Sequence, residues 1–135
     1  MITKETLEQL VKLKPKGKLG FAGVSVKQEV AEHRYIDLHL PRGSGKTTAM
    51  NDFASGKSVL KLRSLMSQDK SWLPLSNVES IIDSFRGIRF NGLKYQYILI
   101  DEFNPNHTEV LSILIQFLID NRLLTDDFMV ISLHT

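Results

Sequence analysis

Leu40-Pro-Arg-Gly-Ser-Gly-Lys-Thr-Thr48 decides the reading of this 135-residue chain, because of what stands on either side of it. Before it, Tyr35-Ile-Asp-Leu-His-Leu40 alternates apolar and polar residues, the pattern of a strand running into a loop. After it, Lys46 to Phe53 reads as a helix. A strand, a glycine-rich turn and a helix in that order make a cup for anions. Gly43 and Gly45 let backbone N–H groups close around phosphate oxygens, where a side chain would block the approach or forbid the dihedrals. Arg42 and Ser44 complete the turn. The helix start adds the positive end of its dipole, Lys46 a point charge for β- and γ-phosphates, and Thr47 a hydroxyl for Mg²⁺, with Thr48 a further contact. The phosphate-loop motif asks for glycine where this chain has Leu40. Gly-Ser-Gly-Lys-Thr keeps the atoms that touch phosphate, so the change is read as tolerated.

A second motif, Tyr97-Ile-Leu-Ile-Asp-Glu102, follows 101 − 46 = 55 residues after Lys46. Its continuous apolar run is that of a strand buried on both faces in a parallel sheet. Two carboxylates stand at its end. Asp101 can hold Mg²⁺ through the ion's water shell, and Glu102 can orient and deprotonate an attacking water. An Asp-Glu pair alone is commonplace, and its order and spacing after the glycine-rich turn make it specific.

The rest of the chain supports an α/β arrangement. Leu7, Leu10 and Val11 predict a short amphipathic helix ending near Lys14-Pro15. Lysines 12, 14, 16 and 18 follow, and read as a solvated linker more readily than as a contact to nucleic-acid phosphates. Ser58 to Arg63 predicts a strand and Asn77 to Phe85 a helix, stopped by Gly87. Asn91-Gly92 within Ile88 to Tyr97 predicts a hairpin turn. Asn106 and Glu109 predict a capping-box-like start to a largely apolar helix reaching about Asn121, and Phe128 to Ser132 predicts the last strand. Strands alternating with helices imply a three-layer fold, a parallel sheet between helices, with the ligand site beyond the strands' carboxyl ends. The expected division is residues 1–34, a helix and basic linker, and residues 35–135, the core. The apolar girth of the Glu109–Asp120 helix predicts self-association or a protein partner.

Composition narrows the class without naming it. Hydrophobic residues at 42% and charged residues at 24% suit a folded domain rather than a disordered chain. Lys+Arg minus Asp+Glu is 17 − 15 = +2, too mild to imply nucleic acid from bulk charge, although such a partner stays possible. No cysteine is present, so thiolate chemistry and cysteine-ligated zinc are excluded, and the cytoplasm is the expected compartment. No apolar run approaches the ~20 residues of a membrane span. Asp37 and His39 within the first strand read as a hydrogen-bonded face, since no third metal ligand stands at suitable spacing beside them. Trp72 reads as a packing aromatic and Phe90-Asn-Gly92 as a turn, rather than as aromatic residues of a pore.

Taken together, the chain from Tyr35 to Thr135 resembles a P-loop NTPase of the additional-strand, catalytic-glutamate branch. Pro41 to Ala49 is similar to the nucleotide loop of AAA+ ATPases, and Ile98 to Asp126 resembles the acidic motif and following helix of Clp-type unfoldases. The resemblance implies binding of ATP with Mg²⁺ by Arg42, Gly43, Ser44, Gly45, Lys46, Thr47 and Thr48, with Thr47 and Asp101 at the metal and Glu102 and Lys46 in catalysis. It implies, further, ring-like assembly and the remodelling or movement of a macromolecule. Three departures stand out. The family's sensor asparagine falls in Ser132-Leu-His-Thr135, which has none, leaving Ser132 or His134 as substitutes. Arg122 is the only basic residue placed to act on a neighbouring ATP. The sequence stops before the fifth strand and helical lid of AAA+ proteins. A hydrolysis-poor nucleotide switch within a larger complex, a small viral helicase and a DNA-packaging ATPase domain are the alternatives. A small-molecule kinase is disfavoured because no arginine cluster follows the acidic motif.

Overall fold

Five strands lie side by side and every neighbouring pair is parallel, in the order β1-β5-β4-β2-β3. They are β1 (Tyr35–His39), β2 (Val59–Arg63), β3 (Leu73–Pro74), β4 (Tyr95–Asp101) and β5 (Leu124–His134). The last strand in sequence therefore sits between the first and the acidic one. Among the described residues four α-helices accompany them: α1 (Lys4–Leu13), α2 (Lys46–Ala54), α3 (Val78–Arg86) and α4 (Thr108–Asp120). The computed structural model describes residues 2–13, 34–41, 45–64, 72–86 and 94–134, with the side chains of Leu13 and Lys46 left aside.

Alternation along each strand divides the core into two layers. On one face Ile36, Leu99, Ile131 and Leu133 meet Met50 and Phe53 of α2 and Leu7 and Val11 of α1. On the other, Leu60, Leu62, Ile98, Ile100 and Val130 meet Ile81 and Phe85 of α3 and Leu111, Leu114, Ile115 and Leu118 of α4. The central strands β4 and β5 contribute to both, which is why Tyr97 to Ile100 and Phe128 to Ile131 run apolar without a break. The protein is thus α/β, a five-stranded parallel sheet flanked by helices. No helix among the described residues is long and apolar enough to cross a membrane.

The apolar girth of α4 is largely absorbed by this packing. Val110, Phe117 and Ile119 are partly buried against the same core, and Ile113 is the one large hydrophobic side chain left exposed among the described residues.

Several boundaries differ from the sequence expectation. Tyr95 to Tyr97 are part of the parallel strand β4, not the return arm of a hairpin, while Asn91-Gly92 and Gly87 lie outside the described residues, as do Lys14, Lys16 and Lys18. β5 starts at Leu124 rather than Phe128, because the polar run Thr125-Asp-Asp127 interrupts the apolar signal without interrupting the strand. The side-chain cap upstream of α4 is Asn104, whose Oδ1 accepts from the Asn106 N–H at 3.0 Å and opens a 3-10 turn over Pro105–His107, while His107, the N-cap of α4 itself, makes no side-chain cap bond. Asn106 itself lies inside that turn. β3, two residues long, carries too little pattern to be read from sequence.

Candidate functional site

Asp101 ends β4 on the face that α2 covers, and its side chain is fully buried. A buried carboxylate needs partners, and two elements supply them. Thr47, at the start of α2, donates from Oγ1 to Asp101 Oδ2 at 2.8 Å. Arg63, the last residue of β2 and in register with Asp101, donates to the same oxygen from Nη2 at 2.9 Å and Nε at 3.3 Å. The other oxygen, Oδ1, is buried with no hydrogen-bond partner among the described residues.

The glycine-rich turn enters this site through Gly45, which caps α2 in the left-handed region at φ 78°. That dihedral favours glycine and lets the Gly45 carbonyl accept the Ala49 N–H at 2.9 Å, fixing the helix start. Thr48 and Gly45 also line a cleft of about 650 Å³ between α2 and residues Ile2 to Glu5. Arg42, Gly43 and Ser44 lie outside the described residues, as does the side chain of Lys46. Of the expected set, the structure joins Thr47 to Asp101 directly and puts Gly45 and Thr48 at the same helix start.

Glu102 follows Asp101 at a bend with φ 52°, an uncommon conformation for a residue with a Cβ, and it is exposed. The chain then turns sharply back: the Phe103 N–H donates to the Leu133 carbonyl at 3.2 Å, and the Asn104 N–H to Ser64 Oγ at 2.7 Å. These bonds tie the loop after β4 to the ends of β5 and β2, holding Glu102 at the carboxyl edge of the sheet.

Arg63 is a neighbour of Asp101 that the sequence does not reveal, and Trp72, buried as a packing aromatic as expected, lies against it. The Trp72 ring, 2% exposed, has the Arg63 guanidinium carbon 5.2 Å and the Lys61 ammonium 4.9 Å from its centroid. Arg63 was visible as the end of a predicted strand, but nothing in the sequence said that this strand pairs with the acidic one.

Ser132 and His134, the possible sensor residues, face the opposite side of the sheet from Asp101. His134 is 7% exposed, not a free terminal residue. An ionised carboxylate only accepts, so His134 Nε2 donates to Asp37 Oδ1 at 2.7 Å. Ser132 Oγ donates to the same oxygen at 2.8 Å, and Tyr35 OH hydrogen-bonds to Ser132 Oγ at 2.7 Å. Burial pushes the Tyr35 hydroxyl pKa above its usual 10.0, with the Ser132 hydroxyl opposing and the Asp37 charge adding. Of the face expected to be hydrogen-bonded, Asp37 is so, through Ser132 and His134 of β5, while the His39 ring packs edge-on to His134, a third ligand-type side chain. Arg122, in the turn before β5, is exposed with φ 56°.

Comparison with family models, curated proteins and solved structures returned no match.

Proposed function

We propose that this protein binds ATP with Mg²⁺ at the Gly45–Thr48 helix start and Asp101, and hydrolyses it with Glu102, as a P-loop ATPase resembling an AAA+ core. The observation that carries the proposal is the 2.8 Å hydrogen bond from Thr47 to Asp101, which links the two motifs across 54 residues. β5 between β1 and β4 is in keeping with the additional-strand branch. The donor set suits a hydrated magnesium ion: a threonine hydroxyl beside a carboxylate whose second oxygen is buried without a partner among the described residues. When bound, the ion would neutralise charge on the phosphates. Thr47 and Asp101 hold and orient it, Lys46 supplies positive charge, and Glu102, exposed at the strand tip, accepts a proton from water. By the same resemblance, turnover would drive remodelling or movement of a macromolecule by an assembly of copies.

Calorimetric titration with ATP and Mg²⁺, alongside phosphate release, tests this. Lys46→Ala should abolish uptake, and Glu102→Gln should bind but not hydrolyse. Absence of nucleotide uptake by the unaltered chain, or uptake unchanged in Lys46→Ala, ends the reading.

A second reading, a hydrolysis-poor nucleotide switch, is favoured by Arg63. Its guanidinium already neutralises the carboxylate that the metal needs. Equal and slow phosphate release by the unaltered chain and Glu102→Gln, with binding intact, would select it.

A further inference from the structure

We propose that Asp37, His39 and His134 form a binding site for a divalent first-row transition metal, zinc by preference, on the face of the sheet opposite Thr47 and Asp101. The topology builds it. Strand alternation points residues 37 and 39 of β1 to one face, and the parallel register sets His39 beside His134 and Asp37 beside Ser132 on β5. One ligand atom from each of Asp37, His39 and His134 lies within 4.8 Å of the others.

Two imidazoles and one carboxylate are a donor set for zinc and its neighbours rather than for magnesium or calcium, which take oxygen ligands. Three protein ligands leave a coordination position open. It faces a cavity of about 400 Å³ whose lining includes Phe103, Thr108, Leu111 and Ile115, so water or a small ligand has room beside the ion. The outer contacts are those a metal site requires: Ser132 Oγ fixes Asp37 Oδ1 at 2.8 Å, and Tyr35 OH holds Ser132 Oγ at 2.7 Å.

His39 decides between a metal site and a simple hydrogen-bonded pair. Asp37 satisfies His134 without it, and the His39 ring makes no hydrogen bond to the described residues. Its ring nevertheless stands edge-on to His134 with centroids 3.6 Å apart. Two rings held this close present two nitrogen donors to one cation, which a lone histidine–carboxylate pair does not. The ion takes the place of the proton between His134 Nε2 and Asp37, and the ring then carries its proton on Nδ1. Zinc–ligand bonds of about 2.0–2.2 Å at tetrahedral angles need about 3.3 Å between donor atoms, so the 2.7 Å pair opens by roughly 0.6 Å.

The test is titration of the untagged full chain with Co²⁺, read by its visible d–d absorption, followed by displacement with Zn²⁺, without nucleotide. One Co²⁺ per chain, displaced by Zn²⁺, is expected. His39→Ala changes an exposed side chain, spares the Asp37–His134 bond and should weaken binding about 100-fold or more; Ser132→Ala should weaken it about 10–100-fold through Asp37. Asp101→Asn should leave it unchanged, which separates this site from the one on the other face. No d–d band with the unaltered chain, or equal affinity in His39→Ala, overturns the proposal.

Discussion

Arg63 and Asp101 meet at a single oxygen: Nη2 at 2.9 Å and Nε at 3.3 Å both donate to Oδ2, which also accepts from Thr47. Three donors crowd one side of the carboxylate while Oδ1 has none among the described residues. The arrangement places the negative charge of the strand tip against a fixed positive one and leaves the other lone pairs facing the interior.

Removing Arg63 should therefore be costly. Asp101 is fully buried, and taking away its cation strands a desolvated charge, an effect of about 3 kcal/mol. Arg63→Ala should lower unfolding free energy in urea by that order, whereas Arg63→Ala combined with Asp101→Asn should recover part of the loss. A double variant no better than Arg63→Ala alone would show that the pair contributes no coupling.

Thr47→Ala tests the other partner. A hydrogen bond to a charged group is worth about 1.5–3 kcal/mol, and this one is part-buried, so the low end is expected. Under the nucleotide reading the same change should cut Mg²⁺-dependent ATP affinity at least tenfold while barely altering Mg²⁺-free binding. Equal losses with and without the metal would remove Thr47 from the ion's surroundings.

How much of this was readable beforehand follows from the range of each signal. The Gly45-Lys-Thr47 helix start and the Tyr97–Asp101 strand are local patterns, and both elements lie where their periodicity indicates. Arg63 beside Asp101 and His134 beside His39 depend on which strands pair, and strand order is not written in any one segment. Asn104 is masked as a cap in the sequence by Asn106, which fits a capping box with Glu109 equally well. Polar residues 125–127 hide the first third of β5 because they are partly or fully exposed between the buried Leu124 and Phe128, so no packing demands apolar side chains of them.

Trp72 offers a direct view of the site, being the chain's single tryptophan and lying 5.2 Å from the Arg63 guanidinium. If magnesium and ATP draw Asp101 toward the metal, Arg63 shifts against the indole and the fluorescence changes. A saturable change with Mg·ATP, absent in Asp101→Asn, is expected. Calorimetric binding without any change in emission would mean that Arg63 keeps its place.

Alkaline pH should destabilise the fold through its tyrosines. Burial raises the hydroxyl pKa values of Tyr35, Tyr95 and Tyr97 above 10.0. In the unfolded chain these groups lose their protons near pH 10, while in the folded one they keep them to higher pH, so the unfolded state binds fewer protons. Their contribution is complete below pH 10 and is lost as pH rises through the folded values. Tyrosinate absorbance should appear later in the native protein than in urea, and superimposable titrations would contradict the burial seen for these side chains.

Glu102 separates stability from activity. Its φ of 52° costs about 1–2 kcal/mol for a residue with a Cβ, a penalty glycine escapes. Glycine also loses more chain entropy on folding, so the net gain for Glu102→Gly is expected to be about 0.5 kcal/mol. Glu102→Gln keeps the strain and the side chain's length, so its stability should stay within about 1 kcal/mol of the unaltered chain. Both variants should retain ATP binding and lose hydrolysis under the proposed function. A residue held in a strained bend only for packing would behave otherwise, with Glu102→Gly destabilised and phosphate release intact in Glu102→Gln. Urea unfolding and phosphate release on the same two variants therefore ask whether the strain at Glu102 serves the reaction or the fold.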